Sequence, residues 1–341
     1  MIRKMAWVES ARNIVFRESE LPSLKENEIL IKTEYSAVCG SDLHLYLDLH
    51  PYVKAPSAIG HELSGYAAAV GSGVKKIKVG DLIAAEPILV CGDCDYCLRG
   101  DYHMCNTVSY QYRKGQGGYT DYFIIEERWA HQMPKNISPK EAALIEPLSV
   151  AVHGVEKAGG MLGKTVTVMG AGTIGVLTAA MCREKGAAKV WITDLNDHRL
   201  RMAETLSGAI GLNAKELDVA EKIKEETGGA GCDIVIECTG TERCAAQALD
   251  LVRKLGIIVQ MGISAKPFKD YPYSRILAKE IILKGSQGYC FDFEKSISLI
   301  QAGRIKLEEY ITDVFPYTRI NEAFETVMAP DTKCMKALIT Y

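Results

Sequence analysis

The chain has 341 residues, enough for two domains with sizeable cores. It is 48% hydrophobic and 24% charged with a formal net charge of -3, without the basic excess of a nucleic-acid binder or of a protein held on an anionic membrane. No apolar run is long enough to span a bilayer, and Glu9, Arg12 and Arg17 interrupt any signal-peptide core behind Arg3 and Lys4, so a soluble cytoplasmic protein is expected.

The first hundred residues read as β-rich, with strands near 5–8 and 28–33 and turn residues at Pro22-Ser23 and Lys25-Glu26-Asn27. Cys39-Gly40-Ser41-Asp42-Leu43-His44 follows, and after a proline-containing loop comes Gly60-His61-Glu62. Thiolate and imidazole are good zinc ligands, and a carboxylate can complete an open tetrahedral site. Two carboxylates compete for that place: Glu62, beside His61, and Glu146 in Ile145-Glu146-Pro147. Ser41, just ahead of Asp42-Leu43-His44, suits a helix cap.

The chain carries eleven cysteines, and four of them, Cys91, Cys94, Cys97 and Cys105, lie in one glycine-containing stretch. In a reducing compartment such clustering favours metal over disulfides. The spacing suits a closed Cys₄ zinc site, with an iron–sulfur cluster as the competing occupant. Cys182, Cys232, Cys238, Cys244, Cys290 and Cys334 are scattered, and most of them read as small buried hydrophobes.

Residues 165–169 form a β-branched run leading into Gly170-Ala171-Gly172-Thr173-Ile174-Gly175, and 176–185 reads as a helix stopped at Gly186. Here Gly170 permits a tight turn, Gly172 admits a pyrophosphate against the backbone, and Gly175 lets the helix lie close on the strand. The helix N-terminus adds unpaired N–H groups and a positive dipole end. A second strand, 189–193, delivers Asp194 about 20 residues beyond the last glycine, where a carboxylate accepts hydrogen bonds from an adenosine ribose. That carboxylate would repel a 2′-phosphate, which favours NAD. Arg199 could serve a phosphate, but no second basic residue stands beside Asp194. A helix at 197–207, a strand at 231–237, a helix at 245–255 and strands at 256–261 and 280–285 continue the alternation, giving a parallel doubly wound sheet. A helix at 294–302 and a strand at 336–341 close the chain.

The Cys39–His44 and Gly60-His61-Glu62 segments, the four-cysteine stretch, Val79-Gly80-Asp81, Glu146-Pro147-Leu148 and the glycine motif together resemble the zinc-dependent medium-chain alcohol dehydrogenases. The resemblance covers essentially the whole chain. Residues 143–150 and 236–240 are most similar to the sorbitol (polyol) branch, with threonine and butanediol dehydrogenases as near relatives. It implies an α/β protein: a β-rich GroES-like catalytic domain at 1–150 and 289–341, and a Rossmann NAD-binding domain at 151–288. It places catalytic zinc on Cys39, His61 and Glu62, with Glu146 ligating directly or through water. It gives Ser41 and His44 a proton relay by way of the cofactor ribose, and Cys91, Cys94, Cys97 and Cys105 a structural zinc. Met261, Gly262, Ile263, Ser286 and Gln287 would line the nicotinamide. The expected substrate is a small secondary alcohol flanked by further hydroxyls, handled by a homo-oligomer, dimer or tetramer. In the polyol branch an arginine commonly precedes the equivalent of Tyr289, where this chain has Gly288, and position 45, often aromatic there, is Leu45. L-Threonine 3-dehydrogenase is the alternative enzyme, and a zinc- and NAD-binding sensor without turnover the alternative class. A zinc-free quinone reductase-like protein should lack Cys39, His61 and the cysteine stretch.

Overall fold

Ile29, Leu30 and Ile31 are all buried, so the strand they occupy is covered on both faces and becomes the hub of the first half of the protein. The structure, a computed structural model, describes residues 1–264, 266–329 and 331–341 and divides into two units, Met1–Glu146 with Phe293–Tyr341, and Pro147–Asp292. The strands of the first unit begin with β1 (Ile2–Ser10), β2 (Asn13–Glu20), β3 (Glu28–Ala37), β4 (Ser57–Ala58) and β5 (Glu62–Val70). They continue with β6 (Leu82–Ala85), β7 (Ile88–Leu89), β8 (Ser109–Tyr110), β9 (Tyr122–Glu126) and β10 (Ala130–Gln132). Three helices accompany them: α1 (Gly40–Tyr46), α2 (Asp95–Leu98) and α3 (Pro139–Ala143). Helix α4 (Ile145–Ala158) then leads into the second unit.

The second unit is one parallel sheet built from β11 (Thr165–Met169), β12 (Lys189–Asp194), β13 (Ile210–Asn213), β14 (Cys232–Glu237), β15 (Val252–Gln260) and β16 (Ile282–Gly285). Helices α5 (Thr173–Glu184), α6 (Asp197–Ser207), α7 (Val219–Glu226), α8 (Glu242–Leu251) and α9 (Ser274–Lys279) connect them. The order β13-β12-β11-β14-β15-β16 reverses direction between β11 and β14, the arrangement of a doubly wound dinucleotide fold. Trp191, Val235, Leu249 and Ile258 are among the buried residues of its core. The helix expected at 245–255 starts earlier and stops earlier. Thr241 accepts from the Cys244 N–H and caps α8, while Val252 turns extended and pairs with Cys232. Residues 252–255 thus join the sheet, and a register shift against β14 absorbs Leu255 at φ 58°. The short β13, α7 and α9 were not anticipated.

The chain returns to the first unit through α10 (Asp292–Gln301), β17 (Asp313–Pro316), α11 (Ile320–Met328) and β18 (Ala337–Thr340). There β18 pairs antiparallel with β3 and completes the order β10-β6-β5-β3-β18-β17, with β9 also on β3. Phe324 of α11 packs on Tyr46 of α1, ring centroids 5.1 Å apart.

Candidate metal centre and dinucleotide site

Strand register assembles the candidate metal centre. Ala37, the last residue of β3, pairs with Glu62 on one side and Leu338 on the other. The residues just beyond these pairings, Cys39, His61 and Lys336, therefore meet at one end of the sheet. Gly60 precedes His61 at φ +94°, and a Cβ there would lie 2.7 Å from the Tyr119 ring, so the approach to His61 needs glycine. The donor atoms of Cys39, His61 and Glu62 all lie within 4.8 Å of one another.

The surroundings orient these donors. Asp42 is buried, with Oδ1 3.5 Å from His61 Nδ1, while its Oδ2 accepts from Tyr119 Oη at 2.8 Å and the Cys39 N–H at 3.2 Å. Burial alone would raise the Asp42 carboxyl, but His61, Tyr119 and the Cys39 amide outweigh it and hold it below its ordinary value. A carboxylate behind a ligand imidazole fixes the ring and raises its basicity. Lys336, 3% exposed, places Nζ 2.5 Å from Glu62 Oε2 and donates to Val38 O at 2.9 Å. Glu62 Oε1 is buried with no hydrogen-bond partner among the described residues, and a Glu62 carboxylate oxygen lies within 4.8 Å of the Cys39 thiol and a His61 ring nitrogen. Sulfur, nitrogen and carboxylate donors with such an unpartnered oxygen fit zinc.

Glu146 lies at the start of α4, buried, within electrostatic reach of His61, Glu62 and Lys336 but outside the converging trio. Burial pushes its carboxyl up to about 7, assisted by the Glu62 charge. Of the two competing carboxylates, Glu62 is the one whose oxygen converges with Cys39 and His61. Ser41 is not the cap of α1, because Cys39 occupies the N-cap and Ser41 sits in the first turn. Its Oγ donates to Cys39 Sγ at 3.4 Å. His44 lies one turn on, and burial lowers its pKa.

The Cys91, Cys94, Cys97 and Cys105 sulfurs also lie within 4.8 Å of one another, and no disulfide joins any of the eleven cysteines. The Cys91 and Thr107 N–H groups point at Cys105 Sγ at 3.3 and 3.4 Å. Burial raises the Cys105 thiol, but these amides and the Thr107 hydroxyl prevail and bring it down to about 6. A thiolate held by amide donors is ready for a metal.

In the second unit each motif glycine has a distinct geometry. Gly170 has φ +96°, a Cβ on Gly175 would lie 1.8 Å from Gly170 O, and a Cβ on Gly172 would meet nothing within 4 Å. Open space above the Gly172 N-cap of α5, which begins at Thr173 and Ile174, is what a pyrophosphate needs. Asp194 ends β12 with Oδ2 accepting from the Ala171 N–H at 2.8 Å, and Oδ1 accepting from Leu195 and Asn196 at 2.7 and 3.0 Å. No hydrogen bond or ion pair holds the Arg199 side chain among the described residues; only its N–H is engaged, on Asn196 Oδ1. Beyond β15, Met261 and Gly262 donate backbone N–H groups to Glu237 O, and Ser286 donates to Gln260 O. The Met261 side chain turns inward against Gly154, Thr178 and Cys238, whereas Ile263 and Gln287 are exposed. Tyr289 and Leu45 are buried, so neither presents its ring or side chain to solvent.

Residues 25–135 match the alcohol dehydrogenase GroES-like domain and residues 173–302 the zinc-binding dehydrogenase domain. The chain is 32% identical over 333 residues to sorbitol dehydrogenase of Halalkalibacterium halodurans, covering 95% of this chain and 94% of that one. The chain belongs to the zinc-dependent medium-chain alcohol dehydrogenases. Within this family it is also 33% identical over 324 residues to D-arabitol-phosphate dehydrogenase of Enterococcus avium, covering 92% and 91% of the two chains. The 2R,3R-butanediol dehydrogenase of Bacillus subtilis has the same structure at a TM-score of 0.89 and 29% identity, with 99% of each chain covered. The chain is thus an alcohol dehydrogenase of the polyol branch, an oxidoreductase using zinc and NAD. Asp42, Tyr119, Lys336 and Glu237 escaped the sequence reading. Asp42 alone left a signal, three residues beyond Cys39 at a helix start.

Proposed function

We propose that the chain oxidises a secondary alcohol flanked by further hydroxyls, a polyol or vicinal diol, with NAD as acceptor. The observation that carries this is the convergence of Cys39, His61 and Glu62 on one point, in a chain whose Asp194 carboxylate closes the dinucleotide turn. The chemistry supplied by bound zinc and NAD is Lewis-acid activation of the substrate hydroxyl and acceptance of a hydride. Cys39, His61 and Glu62 hold the metal, Asp42 orients His61, and Lys336 sets the Glu62 carboxylate. Glu146 stands as a reserve carboxylate. Ser41 Oγ receives the hydroxyl proton by rotating from Cys39 Sγ, and His44, on the same face of α1, takes it onward. Cys91, Cys94, Cys97 and Cys105 hold a structural zinc. Gly170, Gly172, Thr173, Ile174 and Gly175 receive the pyrophosphate, and Asp194 the adenosine ribose. Met261, Gly262, Ile263, Ser286 and Gln287 form the nicotinamide side, the first through its backbone. The same reading makes the protein cytoplasmic and homo-oligomeric. Edge strand β16, with Ile282 and Leu283 about half exposed, supports self-association.

One observation favours a second substrate class, an anionic polyol. Arg113 follows Tyr112, whose ring lies 5.8 Å from that of His61, and its guanidinium packs 5.8 Å from the Tyr52 ring with no carboxylate partner among the described residues. A phosphate or carboxylate would fit such a group. The same guanidinium would also serve the carboxylate of threonine. A panel of sorbitol, xylitol, 2,3-butanediol, polyol phosphates, aldonates and L-threonine, followed by NADH formation, separates these readings. Neutral polyols or diols should give the highest kcat/KM. A phosphate or carboxylate substrate in that place, lost with Arg113→Ala, would establish the second class. Turnover of monohydric alcohols alone would refute both, and no turnover at all with two zinc ions bound would favour a sensor.

A further inference from the structure

Glu237 ends β14 with its side chain fully buried. Oε1 accepts from the Thr239 N–H at 2.7 Å, from the Thr239 hydroxyl in a short contact, and from the Gly240 N–H at 3.2 Å. Oε2 accepts from the Gly240 N–H at 3.0 Å and from Gln260 Nε2 at 2.6 Å. Gln260 cannot be turned round, because the same Nε2 donates to Gly262 O at 3.0 Å. Both oxygens are therefore surrounded by donors, the environment of an ionised carboxylate. None of these partners carries positive charge. A buried anion balanced only by neutral donors is expensive to keep.

Its place in the sheet says what could offset it. Asp194 marks the adenosine half beyond β12, and the Gly170–Gly175 turn marks the pyrophosphate. A dinucleotide lying across the reversal between β11 and β14 therefore puts its nicotinamide over the ends of β14 and β15. Those ends are the two loops that Glu237 ties together. Its carboxylate holds Thr239 and Gly240, its carbonyl holds Met261 and Gly262, and a Cβ on Gly262 would lie 2.6 Å from Glu237 Oε2. Oxidised nicotinamide carries a ring charge of +1 that the reduced form lacks.

We propose that Glu237 is a positioning residue that fixes the nicotinamide loops and, through its buried charge, favours the oxidised over the reduced cofactor. The inference rests on reading residues 261–263 as the nicotinamide side. A purely structural role would weaken NAD⁺ and NADH alike, whereas a charge acts on NAD⁺ selectively.

The test measures both dissociation constants on the zinc-loaded protein, NADH by its fluorescence and NAD⁺ by competition. Glu237→Gln removes the charge. Gln260→Lys leaves the carboxylate in place and neutralises it with an adjacent ammonium, so it decides the question if the first variant does not fold. In either variant the ratio Kd(NAD⁺)/Kd(NADH) should rise roughly three- to tenfold, the size of one charge acting through a partly screened interior. Equal shifts in both constants, or no shift, overturn the inference while leaving the cofactor reading intact. Failure of the unmodified protein to bind either dinucleotide overturns both.

Discussion

His50 is 6% exposed and accepts the Tyr52 and Val53 N–H groups on Nδ1 at 3.2 and 3.1 Å. Protonating that nitrogen destroys both bonds. Burial, followed by the nearby Arg113 charge, lowers its pKa to about 4. A histidine whose folded pKa lies below its unfolded value binds its proton more readily in the unfolded chain. Its stabilising effect is complete above pH ~6.5 and is lost as pH falls towards 4. The unmodified protein should lose about 2 kcal/mol more unfolding free energy between pH 7 and pH 4.5 than His50→Asn, read by urea titration at each pH. Equal losses would contradict the assignment. Asp194 offers a second test at this scale. Asp194→Ala should lower NAD affinity roughly tenfold and narrow the gap to NADP, measured as kcat/KM with each cofactor. A native preference for NADP would instead point to Arg199. Cys39, His61 and Asp194 could be singled out as candidates in the sequence because each stands in a motif whose neighbours point to the same chemistry. Lys336 and Glu237 could not, since an isolated acid or lysine has no signature until packing strips its water away.

At the scale of elements, the cysteine lobe has little regular structure of its own. Helix α2 is four residues long with no buried side chain, and Leu98 and Met104 are exposed. The zinc proposed for Cys91, Cys94, Cys97 and Cys105 would replace the missing core there. Cys97→Ser should reduce zinc from about two ions per chain to about one and lower the thermal midpoint, read by elemental analysis and calorimetry. Cys39→Ser should lose the other ion with little change in melting. Iron in place of zinc, or a single ion in the unmodified chain, would refute this division. The parallel strands were legible because β11, β12 and β14 are β-branched stretches with buried centres on both faces. The α8–β15 boundary was not. Ala245 to Leu251 carries a helical pattern that runs into Val252 without a break signal, and pairing with Cys232 decides where it ends. Short β13 lacks the length to stand out.

At the scale of the molecule, one unit is continuous in sequence and the other is interrupted by it. The alternation of strands and helices announced the continuous unit, because each parallel strand needs its crossover. The interrupted unit was legible only through its resemblance to a family, since nothing local tells β18 that its neighbour is β3. That pairing has a temporal consequence. Cys39, His61 and Glu62 leave the ribosome early, and so do all four lobe cysteines, but Lys336 and the strand behind it come from the far end of the sequence. The proposed lobe ion can be captured while synthesis continues. Glu62 meets its ammonium partner only after the dinucleotide unit has been made and β18 has slid in beside β3. Completion of the proposed catalytic centre is thus a late event in the life of the nascent chain, and a polypeptide cut short before residue 336 would carry the candidate ligands without the lysine that contacts Glu62.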